Sequence, residues 1–308
     1  MSGICAGRVV VITGAGRGLG RAHALCFARE GARLVVNDSG VEVDGTGGDH
    51  GPADEVTAEI VAMGGEAVAS YEDAASWDGA ARLVETAVNT FGGLDVMVCN
   101  AGILRDRMIV NMTEDEWDGV IRTHLRGLFA PARHAAAYWR GRARAGQVND
   151  ARLICTSSPS GLYGNPGQSN YGAAKAGIAA FAIITATELA RYGVTVNAIA
   201  PGAITRMTSG LTVLDGAGGP AAEELAPDRV SPLVVWLGSD QSRDITGRVF
   251  NIWGSELSVA EGWHAGPGVQ HPGGWQASEL GKVVPDLVAQ AAPGSDMWGR
   301  PVVAGDAG

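Results

Sequence analysis

Three polar side chains in the middle of the chain have a spacing that suits proton transfer. Tyr171 and Lys175 are four residues apart in a helical stretch, so their side chains share one face. A neighbouring ammonium lowers the pKa of a phenol from about 10, which would make Tyr171 a general base near neutral pH. Ser158 follows a predicted strand, where its hydroxyl can hold a substrate oxygen. Lys175 and Lys282 are the only lysines among the 23 Lys and Arg residues.

A glycine-rich segment near the N-terminus predicts a dinucleotide site. The β-branched run RVVVIT leads directly into GAGRGLG and then into a helical stretch. Glycines let the backbone approach a pyrophosphate closely, and the N-terminus of the following helix offers unpaired N–H groups. In a strand–loop–helix context this pattern is specific. The predicted cradle consists of Gly14, Gly16, Arg17, Gly18, Leu19 and Gly20.

The choice of nucleotide depends on an acidic residue at the end of the predicted second strand. Asp38 can accept hydrogen bonds from a ribose diol and repels a 2′-phosphate, so it favours NAD over NADP. Arg17 points the other way, because a guanidinium near the ribose could pair with a phosphate. A simple turn role for Asp38 in the segment NDSG is the alternative interpretation. NAD is therefore the predicted cofactor, with NADP less favoured.

Strands and helices alternate over about the first 255 residues. Runs typical of buried strands, separated by amphipathic helices, predict an α/β fold with a doubly wound parallel sheet. Residues 1–261 are predicted to form a single domain with this fold. The segment 262–308 is an irregular extension rich in Trp, Gly and Pro, and its three tryptophans predict packing on the same domain or on a neighbouring subunit. The Gly-rich stretch 39–53 is interpreted as a mobile surface insertion.

The composition excludes several classes of protein. A chain of 308 residues with 46% hydrophobic and 18% charged residues is typical of a globular protein. A net charge of −10 argues against nucleic-acid partners, and no apolar run is long enough to predict a membrane span. The four cysteines and six histidines lack metal-ligand spacing, so no metal site is predicted. Widely spaced cysteines and the lack of a signal-peptide pattern predict a cytoplasmic location.

The motifs together resemble the short-chain dehydrogenase/reductase family. They are TGAGRGLG at 13–20, CNAG at 99–102, Ser158, YGAAK at 171–175 and PG at 201–202. The resemblance implies a Rossmann-type seven-stranded parallel sheet of order 3-2-1-4-5-6-7. It also implies interconversion of a secondary alcohol and a ketone with NAD(P), and homodimers or homotetramers. The further cofactor contacts that it implies are Asp73 at the adenine, Asn100, Ala101 and Gly102 at the adenosine ribose, Tyr171 and Lys175 at the nicotinamide ribose, and Pro201, Gly202, Ile204 and Thr205 at the nicotinamide.

One position departs from the family pattern. Most members have Asn in the helix after the fourth strand, where its backbone carbonyl helps to hold a water near the lysine. This chain has His124 there, in the segment THLRG. If the carbonyl performs the role, His124 can replace Asn as the fourth catalytic residue.

Longer segments resemble one branch of the family, which includes the (3R)-hydroxyacyl-CoA dehydrogenase unit of peroxisomal multifunctional enzyme type 2 (17β-hydroxysteroid dehydrogenase type 4). They include NAGILRDRM, HLRGLF and TSSPSGLYGNPGQSNYGAAKAG. The branch implies an acyl-CoA or steroid-like substrate. Arg105, Arg107 and Arg206 are candidates to contact CoA phosphates, although a solvated role is equally consistent with the sequence. An NADPH-dependent ketoacyl or polyketide ketoreductase and a nucleotide-sensing regulator without catalysis are the alternatives.

Overall fold

The structure is a computed structural model that describes residues 3–42, 44–205 and 224–302. Within these residues one sheet of eight strands has the order β3-β2-β1-β4-β5-β6-β7-β8. The strands are β1 (Val9–Thr13), β2 (Arg33–Asn37), β3 (Glu66–Ser70), β4 (Val96–Cys99), β5 (Ala151–Thr156), β6 (Val194–Gly202), β7 (Val249–Trp253) and β8 (Glu256–Val259). The first seven are parallel in the predicted order, which confirms the predicted Rossmann-type sheet.

The eighth strand was not expected. It pairs antiparallel with β7, after a turn that begins at Gly254 with a φ of 55°. All four residues of β8 are exposed, so its sequence lacks the buried β-branched run that identifies the central strands.

Helices cover both faces of the sheet. They are α1 (Gly18–Arg29), α2 (Gly51–Ala62), α3 (Trp77–Phe91), α4 (Glu114–Ile121), α5 (Gly127–Arg144), α6 (Pro159–Leu162), α7 (Ser169–Leu189), α8 (Ser231–Gly238) and α9 (Ala277–Gln290). A π-helical turn, Arg122–Arg126, separates α4 from α5. By length and composition Ser169–Tyr192 could cross a bilayer, a test that core helices also pass, and many of its side chains are buried.

The strand side chains alternate between two cores. Val9 and Val11 of β1 face one core with Trp139 of α5, whereas Val10 and Ile12 face the other with Phe27 of α1. Both faces of the central strands are therefore buried, which explains why their sequences are almost continuously apolar. The carboxyl ends of β1, β4, β5 and β6 meet at one edge, where ligands bind in such sheets.

The segment after residue 261 is less irregular than predicted, because it contains α9. Trp298 packs edge to face on Trp253 of β7, with ring centroids 5.4 Å apart. Trp263 is fully exposed and Trp275 is 40% exposed. Packing of this segment on a neighbouring subunit stays a prediction.

Candidate active site

The glycine loop after β1 is shaped for close approach of a ligand. Gly14 has a φ of 64°, and a Cβ there would lie 2.7 Å from the Cα of Ala101. A Cβ on Gly20 would lie 2.0 Å from the carbonyl oxygen of Gly14. In the described part of the chain, no side chain caps the N-terminus of α1, so its first N–H groups face the loop without a side-chain acceptor. These features fit the pyrophosphate of a dinucleotide.

The loop is tied to the end of β4 by four hydrogen bonds, all donated from the β4 side. The hydroxyl of Thr13 accepts from the backbone N–H groups of Asn100 at 3.0 Å and Ala101 at 3.1 Å. The Asn100 amide donates to the carbonyl oxygens of Thr13 and Gly14, both at 3.2 Å. The segment that the family resemblance placed at the adenosine ribose therefore also holds the glycine loop in place.

The two acidic residues predicted to contact the adenosine half of the cofactor, Asp38 and Asp73, both line the cleft at this edge of the sheet. Asp38 accepts from the N–H of Gly16 at 2.9 Å and from the N–H of Gly40 at 2.8 Å. Asp73 accepts from Ala75 N–H at 2.8 Å and pairs with Arg122 at 2.5 Å. Both carboxylates are thus fixed at the ends of their strands by neighbouring groups.

A cleft of about 430 Å³ runs along this edge of the sheet. Most of the predicted site residues line it: Gly14, Arg17, Gly18, Leu19, Asp38, Asp73, Asn100, Ala101, Gly102, His124, Tyr171, Lys175, Pro201 and Thr205. Five predicted residues lie outside this lining: Gly16, Gly20, Ser158, Gly202 and Ile204. Gly202 instead faces Trp253, and the N–H of Ile204 donates to Leu225 O at 2.7 Å.

Ser158, Tyr171 and Lys175 come together at the carboxyl end of β5. Ser158 is buried at the N-terminus of α6 and interacts with the Tyr171 side chain. Lys175 is also buried, and its Nζ donates to the carbonyl oxygen of Thr156 at 2.6 Å. That Nζ lies 5.5 Å from the centroid of the Tyr171 ring. The arrangement is therefore able to hold a hydroxyl group and exchange a proton with it.

The structure gives Tyr171 a raised pKa where the sequence predicted a lowered one. Burial raises the pKa of Tyr171 to about 12, and the Asp106 charge adds to this rise, although the interaction with Ser158 opposes it. Burial also lowers the pKa of Lys175 to about 7, so its side chain is fully an ammonium only at lower pH. The two side chains are neighbours, as the spacing predicted, but desolvation by burial has the largest effect on the pKa of each.

His124 lies in the π-helical turn and is 2% exposed. Its Nε2 is 2.8 Å from the carbonyl oxygen of Ile103, and its ring meets the Tyr171 ring edge to face at 5.1 Å. Burial, with a smaller contribution from the charge of Lys175, lowers the pKa of His124 to about 3. The Nδ1 atom is buried without a hydrogen-bond partner among the described residues. The neutral ring therefore packs directly behind the proposed base.

Sequence reasoning missed the contribution of the loop between β2 and α2. Val41, Glu42, Gly45 and Gly47 line the cleft, and Val41 packs with Ile103 in a small apolar cluster that also contacts Tyr171. The interpretation of this stretch as a surface insertion is therefore incomplete. Its length and glycine content were the available signal, but neither indicates which way a loop folds.

The candidate CoA-binding arginines have partners within the protein. Arg105 donates from Nε to the carbonyl oxygen of Asp44 at 2.7 Å and from Nη1 to that of Asp115 at 3.1 Å. Arg107 pairs with Glu116 at 3.0 Å. Arg206 lies outside the described residues. Arg105 and Arg107 thus stabilise loops around the cleft, whatever else they bind.

A dinucleotide cradle joined to a Ser–Tyr–Lys proton-transfer set on a doubly wound sheet defines an oxidoreductase that acts on CH–OH groups. The family model described as short chain dehydrogenase matches residues 8–212, and the chain belongs to this family, which binds a nicotinamide dinucleotide. These findings confirm the predicted family and enzyme class.

Similar proteins include a curated relative that spans almost the whole chain. Hydroxyacyl-CoA dehydrogenase ChsB1 of Mycobacterium tuberculosis is 41% identical over 292 residues, which are 93% of this chain and 90% of the relative. Peroxisomal multifunctional enzyme type 2 of Mus musculus is 44% identical over 246 residues, 80% of this chain but 31% of that protein. A crystal structure of a short chain dehydrogenase from Mycobacterium avium is 54% identical with a TM-score of 0.85, covering 98% of this chain and 100% of that one.

Proposed function

We propose that the protein is an NAD-dependent dehydrogenase of (3R)-hydroxyacyl-CoA or related lipid- or steroid-derived secondary alcohols. The observation that carries the catalytic part is the Tyr171 side chain, which lines the cleft, interacts with Ser158 and lies beside Lys175. The substrate class is supported by the similarity to ChsB1, which extends through 93% of the chain.

Each residue of the set has a distinct task in this proposal. Ser158 binds the substrate hydroxyl and fixes its orientation, and Tyr171 accepts the proton that leaves that hydroxyl. Lys175, anchored on the Thr156 carbonyl, presents its Nζ to the ring of Tyr171 and stabilises the phenolate electrostatically. His124 supports the other side of the same ring. When bound, the oxidised nicotinamide dinucleotide supplies the hydride acceptor and a positive charge, which favours ionisation of a phenol.

The preference for NAD is supported by Asp38. Its carboxylate is held on the N–H groups of Gly16 and Gly40 at the end of β2, and it lines the cleft. An acid fixed there can accept from ribose hydroxyls and repels a 2′-phosphate. We expect at least a tenfold higher kcat/KM with NAD than with NADP.

The test is a steady-state screen of the purified enzyme. It compares (3R)- and (3S)-hydroxyacyl-CoA of several chain lengths and hydroxysteroids, each with NAD and with NADP. We expect turnover of the (3R) thioesters or of hydroxysteroids with NAD. Inactivity on all of these alcohols would refute the proposed substrate class, whereas a tenfold preference for NADP would favour the ketoreductase alternative.

The regulator alternative predicts dinucleotide binding without turnover of any alcohol. It gives no reason for a buried lysine to lie beside this tyrosine and a buried serine, because burying polar groups costs free energy. The same screen distinguishes it, since dinucleotide binding can be measured by calorimetry on the same preparation.

A further inference from the structure

The loop between β2 and α2 brings a carboxylate to the cation of the glycine loop. Glu42 Oε1 lies 3.4 Å from Nη1 of Arg17, and both residues line the cleft. Arg17 is the residue of the cradle that could pair with a 2′-phosphate. In the structure the guanidinium of Arg17 pairs with the carboxylate of Glu42.

The position of Glu42 is set by contacts on both sides of it. Its own N–H donates to Thr46 O at 2.7 Å, and its carbonyl accepts from Gly45 N–H at 2.9 Å, which closes a tight turn. Arg105 anchors the turn through its 2.7 Å bond to the carbonyl oxygen of Asp44. The neighbouring Val41 packs with the apolar cluster described above. The carboxylate is thus presented by a folded segment.

The three charged side chains beside the glycine loop carry a net negative charge. Asp38 and Glu42 contribute two negative charges, and Arg17 contributes one positive charge. A phosphate monoester carries between about −1.5 and −2 at neutral pH. We propose that Glu42 is a specificity-determining residue, which together with Asp38 excludes a 2′-phosphate by pairing with Arg17. This inference rests on the proposed NAD dependence and extends it to a residue outside the glycine loop and β2.

The experiment measures binding of two small probes, so that it does not depend on the substrate. Titration calorimetry gives the affinities for 2′,5′-ADP and for 5′-AMP in the wild type, in Glu42→Gln and in the double variant Arg17→Gln/Glu42→Gln. Removing one charge at this distance in a solvated cleft should change phosphate affinity about fivefold. The ratio of the affinity for 2′,5′-ADP to the affinity for 5′-AMP should therefore rise about fivefold in Glu42→Gln. The double variant should not show this rise.

A matched control is Glu59→Gln. Glu59 pairs with Arg21 of α1, outside the cleft lining, so the variant makes the same change in net charge next to the same helix. Its affinity ratio should match that of the wild type. The inference is overturned if Glu42→Gln leaves the ratio unchanged, if Glu59→Gln raises it equally, or if the double variant keeps the gain. A wild type that binds 2′,5′-ADP more tightly than 5′-AMP contradicts the proposed NAD preference instead.

Discussion

The buried imidazole of His124 should make the fold sensitive to acid, and one substitution isolates its contribution. Burial lowers the pKa of His124 from 6.5 to about 3, so only the unfolded chain binds a proton between these values. Protonation of His124 in the unfolded chain therefore does not lower the free energy of unfolding above pH 6.5. The free energy of unfolding falls as the pH drops from 6.5 toward 3. The loss is about 1.4 kcal/mol per pH unit, or about 2 kcal/mol at pH 5.

His124→Asn removes this titration and keeps a polar side chain behind Tyr171. Urea unfolding followed by tryptophan fluorescence at pH 7.5 and pH 5.0 gives the free energy of unfolding of each protein. His23, whose pKa burial also lowers to about 3, adds about 2 kcal/mol to the acid loss of both proteins. The variant should therefore lose about 2 kcal/mol less than the wild type between the two pH values. Equal losses would refute the reasoning. The exposed His264 provides the control variant His264→Asn.

Two further substitutions test the packing around the proposed base. Lys175→Arg should lower kcat at least about 100-fold, because the planar guanidinium cannot reproduce the 2.6 Å bond from the buried Nζ to Thr156 O. Steady-state rates within a few-fold of the wild type would contradict this expectation. Gly102→Ala should lower the free energy of unfolding in urea by about 1–3 kcal/mol, because its Cβ would lie 2.5 Å from Cε1 of the His124 ring. The control is Gly141→Ala, in open space on α5, which should leave the free energy of unfolding unchanged or raise it.

The sequence predicted the parts of the site that depend on local pattern. The glycine loop was identifiable because its residues are consecutive and follow a buried strand. Tyr171 and Lys175 were predicted to share one face from their helical spacing, and their role was inferred from that spacing together with the glycine loop and Ser158. The parallel character of the sheet followed from strands that are apolar on both faces, and the order of the strands followed from the family resemblance.

Features that depend on contacts distant in sequence could not be predicted in this way. The Glu42–Arg17 pair and the bond from Arg105 to the carbonyl oxygen of Asp44 both join residues that are far apart in the sequence. The strand β8 is exposed and short, so no apolar alternation marks it. The pKa of Tyr171 depends on how deeply the ring is buried, and an i,i+4 spacing carries no information about desolvation.

The most direct measurement is a comparison of Tyr171→Phe with the wild type in turnover and in dinucleotide binding. The substitution removes the hydroxyl that is proposed to accept the proton and leaves the ring that packs on His124 and Lys175. We expect kcat to fall between about 10² and 10⁴-fold, the contribution typical of a general base, while calorimetry shows NAD binding within a few-fold of wild type. A variant that turns over the alcohol at the wild-type rate would contradict the assignment of Tyr171 as the proton acceptor.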